Sequence, residues 1–266
     1  MEVVDSFQKM CPQFLIGGQT PTTPRWGYYK KICQRWENKY QFATLYDVTR
    51  RIPVYSAYTL NTQLKIDRNG EWKNEPQLES NSFDKNMMWI RDEKILENYN
   101  NQAVDKDYKG SDYTRGHVFP NQFAGNPDQA ESTFTFTNVA PQTQTSNGQW
   151  AAQVEDPMLK EIKRECSLSS KNPAYIVTGV VPGNNWIKIT RGSKTITQGV
   201  NIPSYYWTAY CCTNNKGVRI SNAYLAEQNT VSSKTKSKPH VTVNQLNEEL
   251  GKLYNTRPFS VFGNRC

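Results

Sequence analysis

Six cysteines stand at positions 11, 33, 166, 211, 212 and 266, one near each end of the chain and two of them adjacent. No other feature limits the fold so strongly. None forms a C-x-x-C pair, and the two histidines, His117 and His240, supply a Cys/His zinc site poorly. The even count therefore reads as up to three disulfides and a secreted, extracellular chain. Fifteen pairings are formally open for six cysteines. Cys11 with Cys33 is the expected one, because it ties down an arm rich in proline and glycine (Gly17, Gly18, Pro21, Pro24). On a strand, the adjacent Cys211 and Cys212 point to opposite faces. The opening residues, Met-Glu-Val-Val-Asp, hold no basic segment followed by an apolar core. For an extracellular chain, the expectation is that a leader has been removed.

The strand signals alternate with punctuation. From Phe42 to Leu60 the run FATLYDVTRRIPVYSAYTL places β-branched and aromatic residues around a polar centre at Asp47 to Arg51, which predicts a β-hairpin. Thr133 to Val139, Tyr175 to Val181 and Ser204 to Cys212 read as three further strands. Residues 61 to 110 are polar and predict loops with one or two short helices. Met158, Leu159, Ile162 and Cys166 repeat at helical spacing after Asp156-Pro157, an N-cap followed by proline at the first helical position. Val243, Leu246, Leu250, Leu253 and Tyr254 predict a second helix, and SSKTKSKPH, Ser232 to His240, a solvated basic linker.

With 266 residues the chain is long enough for one large domain and a substantial core. A mixed α+β architecture is expected, with residues 1–41 as a disulfide-tethered arm and 42–266 as the body of a single globular domain. A hydrophobic content of 36% and an aromatic content of 12% exclude disorder as the main state. No stretch approaches the roughly 20 apolar residues of a membrane helix, so no membrane partner is expected. The formal charge of +8 points to a polyanion such as nucleic acid. Arg50, Arg51, Lys188, Arg191, Lys194, Lys234, Lys236 and Lys238 are candidate sequence-independent phosphate contacts.

The most informative segment is Arg115-Gly116-His117, followed by Asn138-Val-Ala-Pro141-Gln142 and then by Asn147, Trp150 and Glu155. In this order and spacing the residues resemble the DNA/RNA non-specific endonucleases, the sugar-non-specific nucleases. The likeness spans roughly residues 42 to 212. The opening Glu-Val-Val-Asp-Ser-Phe, Cys11-Pro-Gln, Cys33 and Glu75-Pro76-Gln77-Leu78-Glu79 are similar to the secreted endonuclease domain-containing 1 branch of that family. The resemblance implies a mainly antiparallel central sheet with a ββα-metal (His-Me finger) core. It implies a Mg²⁺-dependent endonuclease, with Mn²⁺ as a substitute, acting on DNA and RNA. No protein partner is implied.

The chemistry asks for the same residue types. Phosphodiester hydrolysis needs an activated water and charge stabilisation at phosphorus and at the leaving oxygen. His117 is the candidate general base, since an ordinary imidazole, with a pKa of about 6.5, is mostly neutral near pH 7. Asn147 is the candidate metal ligand, because Mg²⁺ is commonly held by few protein oxygens and several waters. Glu155, about 80° around a continuous helix from Asn147, is expected at a metal-bound water. Arg115 is expected at the scissile phosphate. Asn138 is expected either to support the metal site or to satisfy the backbone of a turn. Gly116 is expected to allow close backbone approach.

Two positions depart from the family pattern. Thr114 stands where an acid usually precedes Arg-Gly-His, with Asp112 two positions earlier. The gap from Asn147 to Trp150 is one residue short, while that from Asn147 to Glu155 keeps its length. These departures motivate an alternative reading, a nuclease scaffold that binds nucleic acid without turnover.

Overall fold

The computed structural model describes residues 2–61, 70–228 and 240–266. The basic linker expected at Ser232 to His240, with Lys234, Lys236 and Lys238, lies outside the described residues except for His240. Ten strands are present among the described residues: β1 (Glu2–Val4), β2 (Tyr29–Trp36), β3 (Lys39–Asp47), β4 (Ile52–Leu60), β5 (Tyr113–His117), β6 (Val139–Thr143), β7 (Ala174–Arg191), β8 (Lys194–Thr213), β9 (Arg219–Glu227) and β10 (His240–Val241). The helices are α1 (Phe7–Met10), α2 (Glu93–Leu96), α3 (Asp105–Tyr108), α4 (Pro127–Ser132), α5 (Gln144–Trp150), α6 (Asp156–Glu165) and α7 (Val243–Leu253). No described helix is long and apolar enough to cross a membrane.

Eight strands form one antiparallel sheet in the order β1-β2-β3-β4-β7-β8-β9-β10, and β5 and β6 form a separate two-stranded ribbon. Side-chain alternation along the strands gives the sheet two apolar faces. Ala57, Val177, Ala209 and Ala223 lie in one cross-strand row, buried beneath Leu246 and Leu250 of α7 and Phe14 and Leu15 of the N-terminal segment. Tyr58, Ile176 and Tyr210 form the adjacent row, facing Phe119, Trp150, Met158 and Ile162. The ribbon and the helices after it are thus pressed onto one face of the sheet, and α7 onto the other.

The disulfides fasten both layers. Cys11 pairs with Cys33, as expected. Cys166, at the end of α6, pairs with Cys212, while Cys211 pairs with the C-terminal Cys266 on the opposite face. The division expected at residue 42 falls inside β3, because Glu2–Val4 and Tyr29–Trp36 are already strands of the main sheet.

Two expected elements differ. Thr133 to Val139 is not a strand: Phe136–Asn138 is a 3₁₀ turn, and β6 begins only at Val139. The threonines that suggested a strand instead turn their hydroxyls inward, Thr135 and Thr137 both donating to the buried Glu75 carboxylate. Asp156 does not cap a helix. The chain runs from α5 through a π-turn, Ala151–Glu155, directly into α6, and the Asp156 N–H reaches back to the Ala151 carbonyl. That widened turn lies just before Pro157, which lacks the N–H an interior α position requires.

Burial holds the Glu75 carboxyl above the ordinary carboxylate range. The folded chain consequently binds more protons than the unfolded chain over that interval, and Glu75 subtracts stability as pH rises through it. Glu75→Gln is expected to gain stability over wild type at about pH 7.5 and almost none at about pH 4, measured by denaturant unfolding at both values. An equal difference at the two pH values would contradict this.

Candidate active site

The two-stranded ribbon brings the sequence motifs together. Antiparallel pairing sets Thr114 opposite Gln142, Arg115 opposite Pro141 and His117 opposite Val139, and α5 starts immediately after β6. The result is a strand, a second strand and a helix, with the helix capped by the Thr143 hydroxyl on Ser146 N–H. A side chain at position 116 would push a Cβ to 2.4 Å from Gln142 Oε1 and 2.9 Å from the Tyr206 hydroxyl. Only glycine lets the ribbon approach β8 this closely.

Alternation sends Arg115 and His117 to one face of β5 and Thr114 and Gly116 to the other. On the first face, the His117 ring lies 5.5 Å from Trp72 and 5.0 Å from Phe134. The Arg115 guanidinium lies 5.2 Å from the Trp72 ring and 5.6 Å from Tyr108, and it is ion-paired with Asp105. A carboxylate thus meets Arg115 from α3. Asp112 is exposed.

On the second face, Thr114 makes a two-bond relay. Its hydroxyl donates to the Gln142 carbonyl at 2.9 Å and accepts from Asn147 Nδ2 at 3.1 Å. This fixes the sense of the Asn147 carboxamide: its nitrogen is anchored, and its oxygen accepts no hydrogen bond from a described residue. Such an oxygen, half-buried on the first turns of a helix, fits the direct ligand of a hard divalent cation. No cluster of three or more His, Cys, Asp or Glu side chains with metal-holding geometry occurs among the described residues.

Asn138 is built differently. It is fully buried; Nδ2 donates to the carbonyls of Phe119 and Thr133, and Oδ1 accepts from Phe119 N–H and the Ser56 hydroxyl. Of the two roles expected for it, bracing the backbone is the one its bonds serve. Glu155 is also largely buried, and its carboxylate accepts from Gln122 Nε2 at 3.0 Å. It lies on the π-turn. Because such a turn is wider than an α turn, it alters the 80° separation expected between Asn147 and Glu155.

Among the basic candidates, Arg191 is buried in a two-pronged ion pair with Asp107, at 2.6 and 2.7 Å, and is unavailable to phosphate. Arg50 is committed to Asp47 and Arg51 to the carbonyls of Asn100 and Gly199. Lys188 and Lys194 are exposed. Asp105, Trp72 and Gln122 had no signal of their own in the sequence, since each acts on a motif residue through a contact distant along the chain.

If Asn138 braces rather than reacts, Asn138→Ala is expected to cost about 3 kcal/mol or more of folding stability, since it strands several buried groups. Urea denaturation measures this. A variant of unchanged stability that had lost all activity would instead give Asn138 a chemical role.

A family model described as DNA/RNA non-specific endonuclease matches residues 21–258. The human Endonuclease domain-containing 1 protein is 32% identical over 206 residues, covering 76% of this chain and 38% of that protein. The mouse protein of the same name is 32% identical over 209 residues, with the same coverage. A nuclease of Serratia marcescens is 30% identical over 152 residues, 55% of this chain and 54% of that one. The chain therefore spans only 38% of the length of the two mammalian relatives. Among solved structures, a chain of the EndoG/EndoGI complex matches all of this chain and 95% of its own, with a TM-score of 0.62 at 13% identity, a likeness of fold.

Proposed function

The chain belongs to the DNA/RNA non-specific endonuclease family, and we propose that it is a secreted, Mg²⁺-dependent endonuclease that hydrolyses phosphodiester bonds in DNA and RNA. The observation that carries this reading is the anchored carboxamide of Asn147, whose nitrogen is tied through Thr114 to the strand bearing Arg115 and His117. β5 is paired to a strand on one side only, and a phosphate along its other edge would meet side chains of both faces. From one face His117 accepts a proton from the attacking water, and Arg115, steadied by Asp105 and Trp72, meets the phosphate oxygens. From the other, Asn147 Oδ1 would hold a divalent cation, and the Glu155 carboxylate would help to orient its hydration shell. A cation there supplies charge stabilisation at phosphorus and at the leaving oxygen. Base and metal ligand need not touch, because water and phosphate lie between them.

The net charge of +8 supports a polyanionic substrate whose capture is independent of sequence. Three disulfides, with no free cysteine among the described residues, support work in an oxidising, extracellular setting. The absence of an acid at position 114 keeps the alternative of binding without turnover specific enough to test. Thr114 answers part of it, because a hydroxyl that both donates and accepts can orient Asn147 without adding charge.

Plasmid DNA and a long RNA are expected to be cleaved with Mg²⁺ and spared in EDTA. Asn147→Ala is expected to lower the rate more than about 100-fold at unchanged melting temperature. Thr114→Val, which removes one orienting bond worth about 1 kcal/mol, is expected to raise the Mg²⁺ concentration for half-maximal rate about fivefold. Activity that survives chelation would overturn the metal role, and salt-sensitive DNA retention without cleavage would favour the binding-only alternative.

A further inference from the structure

A cavity of about 430 Å³ opens beside the Arg115 and His117 face. Trp72 is shared between them: it lies against the His117 ring and the Arg115 guanidinium and also lines the cavity. Trp89, Ile90 and Leu96 supply the remaining apolar lining. Trp89 is 44% exposed, yet it packs edge-to-face with Trp36, 5.1 Å between centroids, and has the Lys73 ammonium 5.2 Å from its ring. Of these two contacts, Lys73 is fully buried and Trp36 half-buried, so Trp89 packs on groups held by the fold.

The charges around the cavity cancel. Arg91, Lys106 and Lys109 stand against Glu71, Glu93 and Asp105, with Arg91 near Glu71 at 3.7 Å and Lys109 on Asp105 at 3.0 Å. A cavity with an indole lining and no net charge is poorly suited to a phosphate and well suited to a neutral planar heterocycle with polar edges. Asp105, which lines the cavity, also holds Arg115, so a ligand here is continuous with the group expected at the scissile phosphate.

We propose that this cavity receives the base of an unpaired nucleotide next to the scissile phosphate, so that single-stranded DNA or RNA is preferred over duplex. The proposal rests on the nuclease reading for the position of the phosphate. A base inside a duplex is stacked and paired and must be extruded before it can enter, whereas an unpaired base enters at little cost.

The test uses the full chain and two probes, a short oligo(dT) and a fully paired, blunt-ended duplex of matched length. Binding is measured in EDTA with His117→Ala as the inert background, and cleavage in Mg²⁺ with His117 restored. Trp89→Ala is expected to weaken oligo(dT) binding about 10-fold or more and duplex binding less than about threefold, with the same contrast in kcat/KM. Trp89→Phe, which keeps a ring face and guards against a folding defect, is expected to retain most of the oligo(dT) affinity. Equal losses on both probes, or none on either, would overturn the base site while leaving the nuclease reading intact. Selective oligo(dT) binding by a protein that never cleaves would sustain the base site and sink the nuclease reading.

Discussion

One buried carboxamide holds the site in shape. Asn138 bonds the backbone on both sides of Phe119, two residues past His117, and also the Thr133 carbonyl and the Ser56 hydroxyl on β4. With the Val118 N–H on the Asn138 carbonyl at 2.8 Å, the end of β5, the start of β6 and the central sheet become one unit. Every polar group of that side chain is used inside the protein. Such a fully satisfied network is rigid, because losing any member leaves a desolvated partner behind.

A second carboxamide, on the helix of the same unit, does the opposite job. Asn147 has its nitrogen committed to Thr114 and its oxygen left as an acceptor. The two asparagines share a chemistry and differ in burial and in how many partners surround them. That difference separates a side chain fully committed inside the protein from one with an oxygen to offer. Arg115 is placed in the same manner, by aromatic faces and the Asp105 carboxylate.

Much of this was legible in the sequence where the signal is periodic or local. Alternation from Phe42 to Leu60 gave the β3–β4 hairpin, helical spacing from Val243 to Leu253 gave α7, and the adjacent cysteines divided between the two sheet faces as strand geometry requires. The order of Arg115, His117, Asn138, Asn147 and Glu155 announced the ββα unit. What failed was local reading of nonlocal causes. The threonines of Thr133 to Val139 alternate like a strand, but they answer to Glu75, about 60 residues away. Asp156-Pro157 imitates a helix start because nothing in the sequence marks the π-turn that carries the helix past it. The partners Asp105, Trp72 and Gln122 are set by folding alone, and Arg191 looked like a surface cation until Asp107 was found beside it.

The claim on which the functional account turns is that the His117 imidazole takes the proton from water while the cation is held elsewhere, at Asn147. Chemical rescue isolates that step. In His117→Gly the rate of DNA cleavage in saturating Mg²⁺ is to be measured as imidazole is added. The account predicts a rate depressed more than about 100-fold that climbs with the concentration of neutral imidazole, at an unchanged Mg²⁺ requirement. A variant that cleaves as fast as wild type without imidazole, or one whose Mg²⁺ requirement collapses together with its rate, would contradict it.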